Sequence, residues 1–470
     1  MTGKDSALLM DNPSPEASRP GNRRVDILLV AAGAVLGAGL AFPAGKLLAV
    51  LAVAAVIYGL VLIQPQRSLW LVISYAFIDY VLRKAGVLTG PWDELSFIMI
   101  VGTWVLRMAW DMRARYRFTS LDWYLIGFLA VSLFLLLVRS PERHIAIEGL
   151  RAVVEYLFWF FVAVNMVKTG RQVRLLTVGL ILLVSAIALF GIYQYIVGVA
   201  IPDKWIDQAE KGIRTRVFSI IGSPNILGSL LVLTIPMTVS IIFAVRTWWK
   251  RFVFTGLLGI MGLCLLFTYS RGAWLALIGA MLYYGIVHNR KVLALILIGA
   301  ILAPVAVPSV TARMGYMLSP EYVKSSQKGG RLVRWEKAVK TVKRSPIVGV
   351  GLGRYGGAVA TNNKLPGAFY VDNYYLKTLA EMGALGLGAM LWLFLNCMRF
   401  GTNAYRRAKD PFLRHLGAGI MAGLLGLLLH NGVENVFEVP MINTYFWFLL
   451  GMVGTFPWIA GKETEHCQTA

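Results

Sequence analysis

The feature that most constrains this chain is a series of long apolar runs, which recur from Ile27 to Ile459 without a long polar interruption. A hydrocarbon core of about 30 Å is crossed by about 20 helical residues, so each run of that length predicts a membrane-spanning helix. Only 15% of the residues are charged, against about 25% in an ordinary soluble domain. One polytopic membrane domain is therefore predicted, and a soluble fold is excluded.

Counting these runs predicts an all-α, integral membrane bundle of about 12–14 transmembrane helices. The runs start near Ile27, Leu47, Ser68, Leu95, Leu121, Val153, Leu175, Ile226, Val253, Gly272, Val292, Tyr375, Arg414 and Met441. The polar start is followed by an apolar run without a clear small-residue cleavage site, which is typical of a retained signal anchor. We expect polar tails at 1–25 and 461–470 on either side of a membrane domain at 26–460.

Loop charge predicts the orientation of the helices, because Lys and Arg collect in cytoplasmic loops. Five basic clusters fall between alternate pairs of spans: Arg113, Arg115 and Arg117; Lys168, Arg171 and Arg174; Arg246, Lys250 and Arg251; Arg290 and Lys291; and Arg406, Arg407 and Lys409. This register predicts that both termini are cytoplasmic. It places two longer segments, 199–224 and 310–374, on the outer side, where we expect them to form the active-site region.

Both outer segments are themselves basic, which runs against the usual charge rule and suggests an anionic ligand outside. Plain solvated loops are the alternative. Within the second segment, residues 331–344 (RLVRWEKAVKTVKR) place basic residues at steps of three with apolar residues at helical spacing between them. This pattern predicts a basic amphipathic helix on the membrane surface. Pro346 ends it, and a glycine-rich turn at 349–357 follows.

Several chemistries are disfavoured by motifs that the sequence lacks or carries in the wrong context. Gly351, Gly353 and Gly356 spell G-x-G-x-x-G, but no predicted strand precedes them, so a dinucleotide site is rejected. There is no P-loop, no H-E-x-x-H and no D-x-D pair. The three cysteines are scattered and indicate neither a disulfide framework nor a zinc site. We therefore expect no cofactor and no metal, and the net charge of +22 reflects loop charge and not nucleic acid.

Four segments, which together cover roughly the second half of the chain, carry a family resemblance. They are 216–230 (RVFSIIGSPNILGSL), 269–273 (YSRGA), 371–386 (VDNYYLKTLAEMGALG) and 330–353, in which Arg331, Trp335, Pro346, Gly349, Gly351 and Gly353 fall in order. In this order they resemble the O-antigen ligase and polysaccharide polymerase superfamily of bacterial envelope proteins. One position departs from the family pattern, because Asp372 stands where the family has histidine.

The resemblance implies a metal-independent glycosyltransferase that moves a glycan from a polyprenyl diphosphate carrier to an acceptor hydroxyl, on the outer side of the bacterial inner membrane. The implied partners are that lipid-linked oligosaccharide donor, membrane lipid and a glycan, lipid-core or other hydroxyl acceptor. Polymerase and ligase share the donor and differ in the acceptor, and both stay open, although the change at Asp372 leans toward a polymerase.

Arginine suits this chemistry, because a guanidinium group stays charged and binds phosphate oxygens through two parallel hydrogen bonds. Arg216 and Arg331 are the expected diphosphate clamp, and Asp372 is expected to accept or align the proton of the acceptor hydroxyl. The expected substrate-binding residues are Arg214, Asn225, Arg271, Arg334, Trp335, Asn373, Tyr374, Tyr375 and His430. Alternatively, the arginines are interfacial snorkelling charges and His430 is structural.

A secondary transporter or flippase for a lipid-linked or anionic substrate is the alternative function. Asp79, Glu155 and Glu381 lie in or near apolar runs, where acids are often functional. Each would need a partner, since an isolated acid costs about 2.5–3.5 kcal/mol at the bilayer centre. Against transport, the sequence shows no detectable inverted repeat, and its distinctive residues gather at the outer face instead of the midplane.

Overall fold

The structure, a computed structural model, describes residues 65–84, 92–110, 116–200, 215–294 and 330–459, together with positions 296, 298, 315, 319 and 320. The predicted spans at Ile27 and Leu47, most of the span from Val292, and Arg214 lie outside the described residues. The chain divides into units 1–67 and 68–470, and only the last three residues of the first unit are described, as the start of a helix.

Every regular element in the described part of the chain is helical, and no strand occurs there. The α-helices are α1 (Pro65–Ile73), α2 (Tyr75–Lys84), α3 (Trp92–Trp110), α4 (Asp122–Val138), α5 (Arg143–Val154), α6 (Phe158–Met166), α7 (Gly170–Val197), α8 (Pro224–Ala244), α9 (Trp248–Phe267), α10 (Arg271–Val287), α11 (Arg331–Arg344), α12 (Gly357–Asn362), α13 (Tyr374–Arg406), α14 (Pro411–His430) and α15 (Pro440–Gly454). Single 3₁₀ turns lie at Glu155–Leu157, Ser219–Ile221, Val436–Glu438 and Phe456–Trp458.

Five helices in the described part are long and apolar enough to cross a membrane, namely α7, α8, α9, α13 and α14. This confirms the prediction of an all-α polytopic membrane protein. Two predicted spans are interrupted instead. The run from Ser68 forms α1 and α2, which are separated at Ser74. The run from Val153 forms a 3₁₀ turn followed by α6, which has nine residues.

The pair α8 and α14 forms the packed centre of the described helices, with α9, α10 and α15 around it. Small residues let the two backbones approach closely, as is usual between membrane helices. A side chain at Gly423 of α14 would collide with the backbone of Leu233 in α8, and one at Gly419 would collide with Ser240. The centre of the bundle is therefore fixed by glycines on one face of α14.

Helices α7 to α10 alternate in direction, as do α13 to α15, so their ends collect at two opposite levels. At one level the segment before α8 pairs with the end of α9 (Val217 N to Phe267 O, 3.0 Å), and α13 begins beside the end of α14. At the other level His288 lies 2.8 Å from His415, near the basic loops at 246–251, 290–291 and 406–409. Three of the predicted inner loops thus lie at one end of the bundle, and the starts of α8, α10 and α13 lie at the other.

Candidate active site

Helix α13 is broken at Gly383, and the glycine-rich turn that follows α11 fills the break. Gly383 has a φ of 65°, in the left-handed region that disfavours side chains. The break leaves backbone groups of α13 without helical partners. The turn supplies them: Val350 N donates to Ala380 O at 2.9 Å, and Ala384 N donates to Pro346 O at 2.8 Å. The glycine-rich turn at 349–357 and the break at Glu381-Met382-Gly383 therefore form one structural unit.

Two glycines of this turn are required by close approach. Gly349 has a φ of 72°, and a Cβ there would collide with the backbone of Glu381. Gly353 has a φ of 71° and packs against Gly149 of α5. A Cβ added to Gly149 would collide with the Gly353 nitrogen. The turn therefore lies between α5 and α13, and these two glycines are needed for close packing.

Helix α11 forms over exactly the residues of the predicted amphipathic helix. Its Ala338 is buried against Tyr355, Val371 and Ala380, which fixes α11 over the start of α13. Since α11 is anchored in this way, the arginines of its first turn are held at the end of the bundle where α13 begins.

These two arginines face two carboxylates. Arg334 Nη1 donates to Asp372 Oδ2 at 2.8 Å and to Tyr370 O at 3.3 Å. Arg331 lies between the acids, with Nε 3.8 Å from Asp372 Oδ2 and Nη2 3.7 Å from Glu434 Oε2. The Asp372 and Glu434 side chains are 17% and 14% exposed, so this pair of carboxylates is sheltered but open to a ligand.

Arg216 joins the same cluster from the opposite side. Its Nε donates to Thr268 O at 3.2 Å, and its Nη2 donates to Asn225 Oδ1 at 3.3 Å. The Asn225 amide then donates to Glu434 Oε2. One continuous chain of contacts results, which we call the polar network; its members are Arg216, Asn225, Glu434, Arg331, Asp372 and Arg334.

Glu434 is the member of the polar network that the sequence reasoning missed. It lies in the turn between α14 and α15, which is held because Asn431 Oδ1 accepts hydrogen bonds from Val436 N (3.1 Å) and Phe437 N (3.3 Å). Burial raises the pKa of the Glu434 carboxyl above its ordinary value, against the opposing effect of Arg331. The signal available in the sequence was the group of polar residues between two apolar helices, namely Asn431, Glu434, Asn435 and Glu438.

The predicted residues at the start of α13 make contacts within the fold. Asn373 caps the helix by accepting from Leu376 N at 3.0 Å. Tyr374 is buried with its ring centroid 5.5 Å from that of Phe437, and the Tyr375 hydroxyl donates to Leu428 O at 2.6 Å. The Tyr375 contact attaches α13 to α14, and the Tyr374 contact attaches α13 to the Val436–Glu438 turn.

The remaining predicted residues surround the polar network at different depths. His430 is 1% exposed, and its Nδ1 lies 2.8 Å from Ser229 Oγ. Arg271 begins α10, where the missing side chain of Gly272 leaves room for the His430 ring. The indole nitrogen of Trp335 is buried and has no hydrogen-bond partner among the described residues.

A second, buried charge cluster lies beneath the polar network. Lys377 Nζ is 2.8 Å from Glu381 Oε2 and 3.1 Å from Glu438 Oε1. Glu381 Oε1 accepts from Tyr355 N at 3.0 Å, and Glu438 Oε2 accepts from Ala358 N at 3.2 Å. This cluster ties α13, the glycine-rich turn and the Val436–Glu438 turn together.

Each acid that suggested a transporter has a basic partner one helical turn away. Glu381 pairs with Lys377, Asp79 pairs with Arg83, and Glu155 lies 3.5 Å from Arg151. Such pairs provide the compensation that an acid near apolar surroundings needs. A structural role therefore accounts for all three acids.

Among the residues that the structure describes, no group of three or more His, Cys, Asp or Glu side chains is arranged to hold a metal ion.

Residues 256–391 match a protein-family model described as O-antigen ligase. The matched region runs from α9 into α13 and includes Arg331, Arg334 and Asp372, whereas Arg216 and Glu434 lie on either side of it. No curated protein matches the sequence at a significant level. The family match confirms the resemblance drawn from the sequence motifs.

Proposed function

We propose that this chain is a glycosyltransferase of surface glycan assembly. Through its O-antigen ligase domain at residues 256–391 it belongs to the O-antigen ligase and polysaccharide polymerase superfamily. Its proposed donor is a glycan on a polyprenyl diphosphate carrier. Its proposed acceptor is a hydroxyl group of a second glycan, a lipid core or another surface molecule. The proposed location is the outer face of the bacterial inner membrane.

The observation that carries the proposal is the polar network at the starts of α8 and α13. Arg331 and Arg334 contact two carboxylates there, and Arg216 joins them through Asn225. This concentration of guanidinium N–H donors suits an anionic ligand with phosphate oxygens. At 3.7 and 3.8 Å from its acids, Arg331 is beyond hydrogen-bond distance, so its N–H groups are available to phosphate oxygens. The positive ends of the α8 and α13 dipoles point to the same place and favour negative charge.

The network suits displacement of a diphosphate leaving group. When the acceptor oxygen attacks the anomeric carbon, the bond from that carbon to the diphosphate oxygen breaks, and negative charge grows on the diphosphate. Arg216 and Arg331 are proposed to stabilise this charge. Because the negative charge on the diphosphate is larger in the transition state than in the bound donor, this stabilisation accelerates the reaction. Asp372, 2.8 Å from Arg334, is proposed to align the guanidinium groups and the donor.

The orientation of the bundle supports an outer location for this chemistry. Basic loops mark the cytoplasmic side of membrane proteins, and the polar network lies at the opposite end from three such loops, 246–251, 290–291 and 406–409. On this basis we propose that the network faces the extracytoplasmic side and that both termini are cytoplasmic.

The experiment that tests the proposal uses the full chain in liposomes with a polyprenyl-diphosphate oligosaccharide and without nucleotide or added metal. Released polyprenyl diphosphate and glycan length are followed together. Release with lengthening glycans identifies a polymerase, and release with a single transfer to a distinct acceptor identifies a ligase. If the donor only moves between leaflets without release, the proposal is wrong and the transporter alternative replaces it.

A matched pair of variants ties the activity to the network. Arg331 and Arg344 belong to the same helix, but Arg331 contacts both carboxylates, whereas Arg344 is exposed at the far end. Release should fall by about 10- to 100-fold in Arg331→Lys and stay near the wild-type rate in Arg344→Lys. Equal loss in both variants would point to general membrane attraction by the basic helix, and not to a clamp.

A further inference from the structure

The polar network contains two carboxylates that differ in what they hold. The Asp372 carboxylate contacts two guanidinium groups, and both contacts are made by its Oδ2 atom. This atom lies 2.8 Å from Arg334 Nη1 and 3.8 Å from Arg331 Nε. Arg334 is fixed further by Tyr370 O. Protonation of Asp372 would weaken this pairing, so Asp372 is suited to position the arginines and poorly suited to exchange a proton during the reaction.

Glu434 has a different environment. Its Oε2 accepts a hydrogen bond from a neutral amide, that of Asn225, and its ion pair with Arg331 is loose, at 3.7 Å. Its Oε1 accepts from Asn435 N at 3.3 Å. No guanidinium group lies within hydrogen-bond distance of it among the described residues. Glu434 can therefore gain a proton with the loss of one loose ion pair and of no direct hydrogen bond from a guanidinium group.

The charged groups around Glu434 come from each element that packs on it. Arg331 of α11 approaches it directly, Asp372 acts from the start of α13, and Arg216 acts through Asn225 of α8. Burial is the largest influence and raises the pKa of Glu434, Asp372 adds to the increase, and Arg331 opposes it. A carboxylate whose pKa is raised toward the working pH is a better general base than an ordinary one.

We propose that Glu434 is the general base of the proposed glycan transfer and that Asp372 is a positioning residue. The acceptor oxygen forms its bond to the anomeric carbon, and the diphosphate departs with the electrons of the broken bond. The acceptor hydroxyl proton passes to the Glu434 carboxylate. With its side chain 14% exposed, Glu434 then returns the proton to water. This assignment rests on the proposed function and adds a residue outside the matched family region.

The test measures transfer and donor binding separately, with the full chain in liposomes. Glu434→Gln keeps the shape and the Asn225 contact but cannot accept a proton. We expect its turnover to fall about 10²–10⁴-fold, with the Kd for the polyprenyl-diphosphate donor within about threefold of the wild-type value. In the wild type, transfer should fall as the pH drops through the pKa of Glu434, because the protonated form is inactive. The residual activity of Glu434→Gln should lack this acid limb.

Three further variants separate chemistry from structure. Glu434→Ala opens space beside Arg331, and added formate, a small carboxylate, should restore part of its turnover. Asp372→Ala should not respond to formate, because its defect is the position of the arginines. Glu434→Asp should retain partial activity with a displaced acid limb.

The outcomes distinguish this inference from the proposed function. If the wild type transfers glycan and Glu434→Gln does so within about threefold, Glu434 is not the base although the proposed function stands. If Glu434→Gln loses donor binding instead of turnover, Glu434 is a binding residue and the inference is wrong. If the wild type releases no polyprenyl diphosphate, the proposed function fails and this assignment fails with it.

Discussion

At the scale of single residues, Arg331 occupies the most informative position, because it alone in the described structure approaches both carboxylates of the polar network. An arginine that only snorkelled to the interface would have no need of two acids at 3.7 and 3.8 Å. Its geometry is that of a cation held loosely in place until an anionic ligand arrives. The identity of this residue as arginine, and not only its charge, should therefore matter.

We expect Arg331→Lys to reduce transfer by about 10- to 100-fold, corresponding to one charge-assisted hydrogen bond of about 1.5–3 kcal/mol. Lysine keeps the charge but loses the two parallel donors that fit phosphate oxygens. The measurement is the rate of polyprenyl diphosphate release, with Arg344→Lys as the control. Wild-type turnover in Arg331→Lys would remove Arg331 from the clamp.

Asp372→Asn should act mainly on donor binding. The substitution keeps the shape but removes the charge that holds Arg334 at 2.8 Å, so the arginines lose their alignment. We expect donor affinity to fall by roughly tenfold, since a hydrogen bond to a charged group contributes about 1.5–3 kcal/mol. Equilibrium binding of the labelled donor measures this. Unchanged affinity with strongly reduced turnover would return Asp372 to the role of proton acceptor.

At the scale of elements, the site depends on one broken helix. Helix α13 cannot continue through Gly383, and the turn from Pro346 supplies the hydrogen bonds that the break leaves open. This arrangement brings α11, with its arginines, over the start of α13, where Asp372 lies. The glycine-rich motif therefore acts on the chemistry through the position of α11.

Gly383→Ala should destabilise the protein and abolish transfer. An alanine there would adopt a φ of 65° and collide with the backbone of Ile347, and left-handed strain alone costs about 1–3 kcal/mol. The thermal unfolding temperature in detergent should fall. Gly388→Ala on the same helix is the control, because nothing lies within 4 Å of its added Cβ, so it should be neutral or slightly stabilising. Equal effects of the two substitutions would contradict the role of the break.

The buried cluster beneath the polar network should behave as a unit. Lys377→Met leaves Glu381 and Glu438 without their cation, and breaking a buried ion pair costs about 3–5 kcal/mol. We expect a large fall in the unfolding temperature for Lys377→Met. Glu381→Gln combined with Lys377→Met should recover part of it, because one uncompensated acid is removed. Simple addition of the two single effects would show that the residues are not coupled.

At the scale of the whole molecule, the basic loops and the polar network lie at opposite ends of the helices in the unit 68–470. The same alternation of chain direction that separates them also gathers the starts of α8, α10 and α13 with the ends of α9 and α14. A reaction site built at this end receives residues from segments far apart in the chain.

Thiol labelling of intact cells tests the orientation. In a Cys467→Ser background the remaining cysteines, Cys264 and Cys397, are buried. Lys343→Cys on α11 should react with a membrane-impermeant reagent from outside, and Lys409→Cys should react only after permeabilisation, because basic loops stay in the cytoplasm. Labelling with the opposite sidedness would invert the proposed topology.

Features that depend on neighbours along the chain could be predicted from the amino-acid sequence alone. Apolar runs predicted the helical membrane class, and the spacing in 331–344 predicted α11 with the bounds that it has, because hydrophobic burial and helical periodicity are local. The motif resemblance indicated Arg216, Arg331 and Asp372, since each is recognisable from the residues around it.

Which side chains contact each other depends on how the helices pack. Glu434 follows Asp372 by 62 positions, and its contacts with Asn225 and Arg331 depend on how α8, α11 and α14 pack. The same holds for the glycine-rich turn, whose role is visible only against the break in α13. Hydrogen bonds and ion pairs between distant segments depend on packing geometry, and no local pattern in a single sequence encodes that geometry.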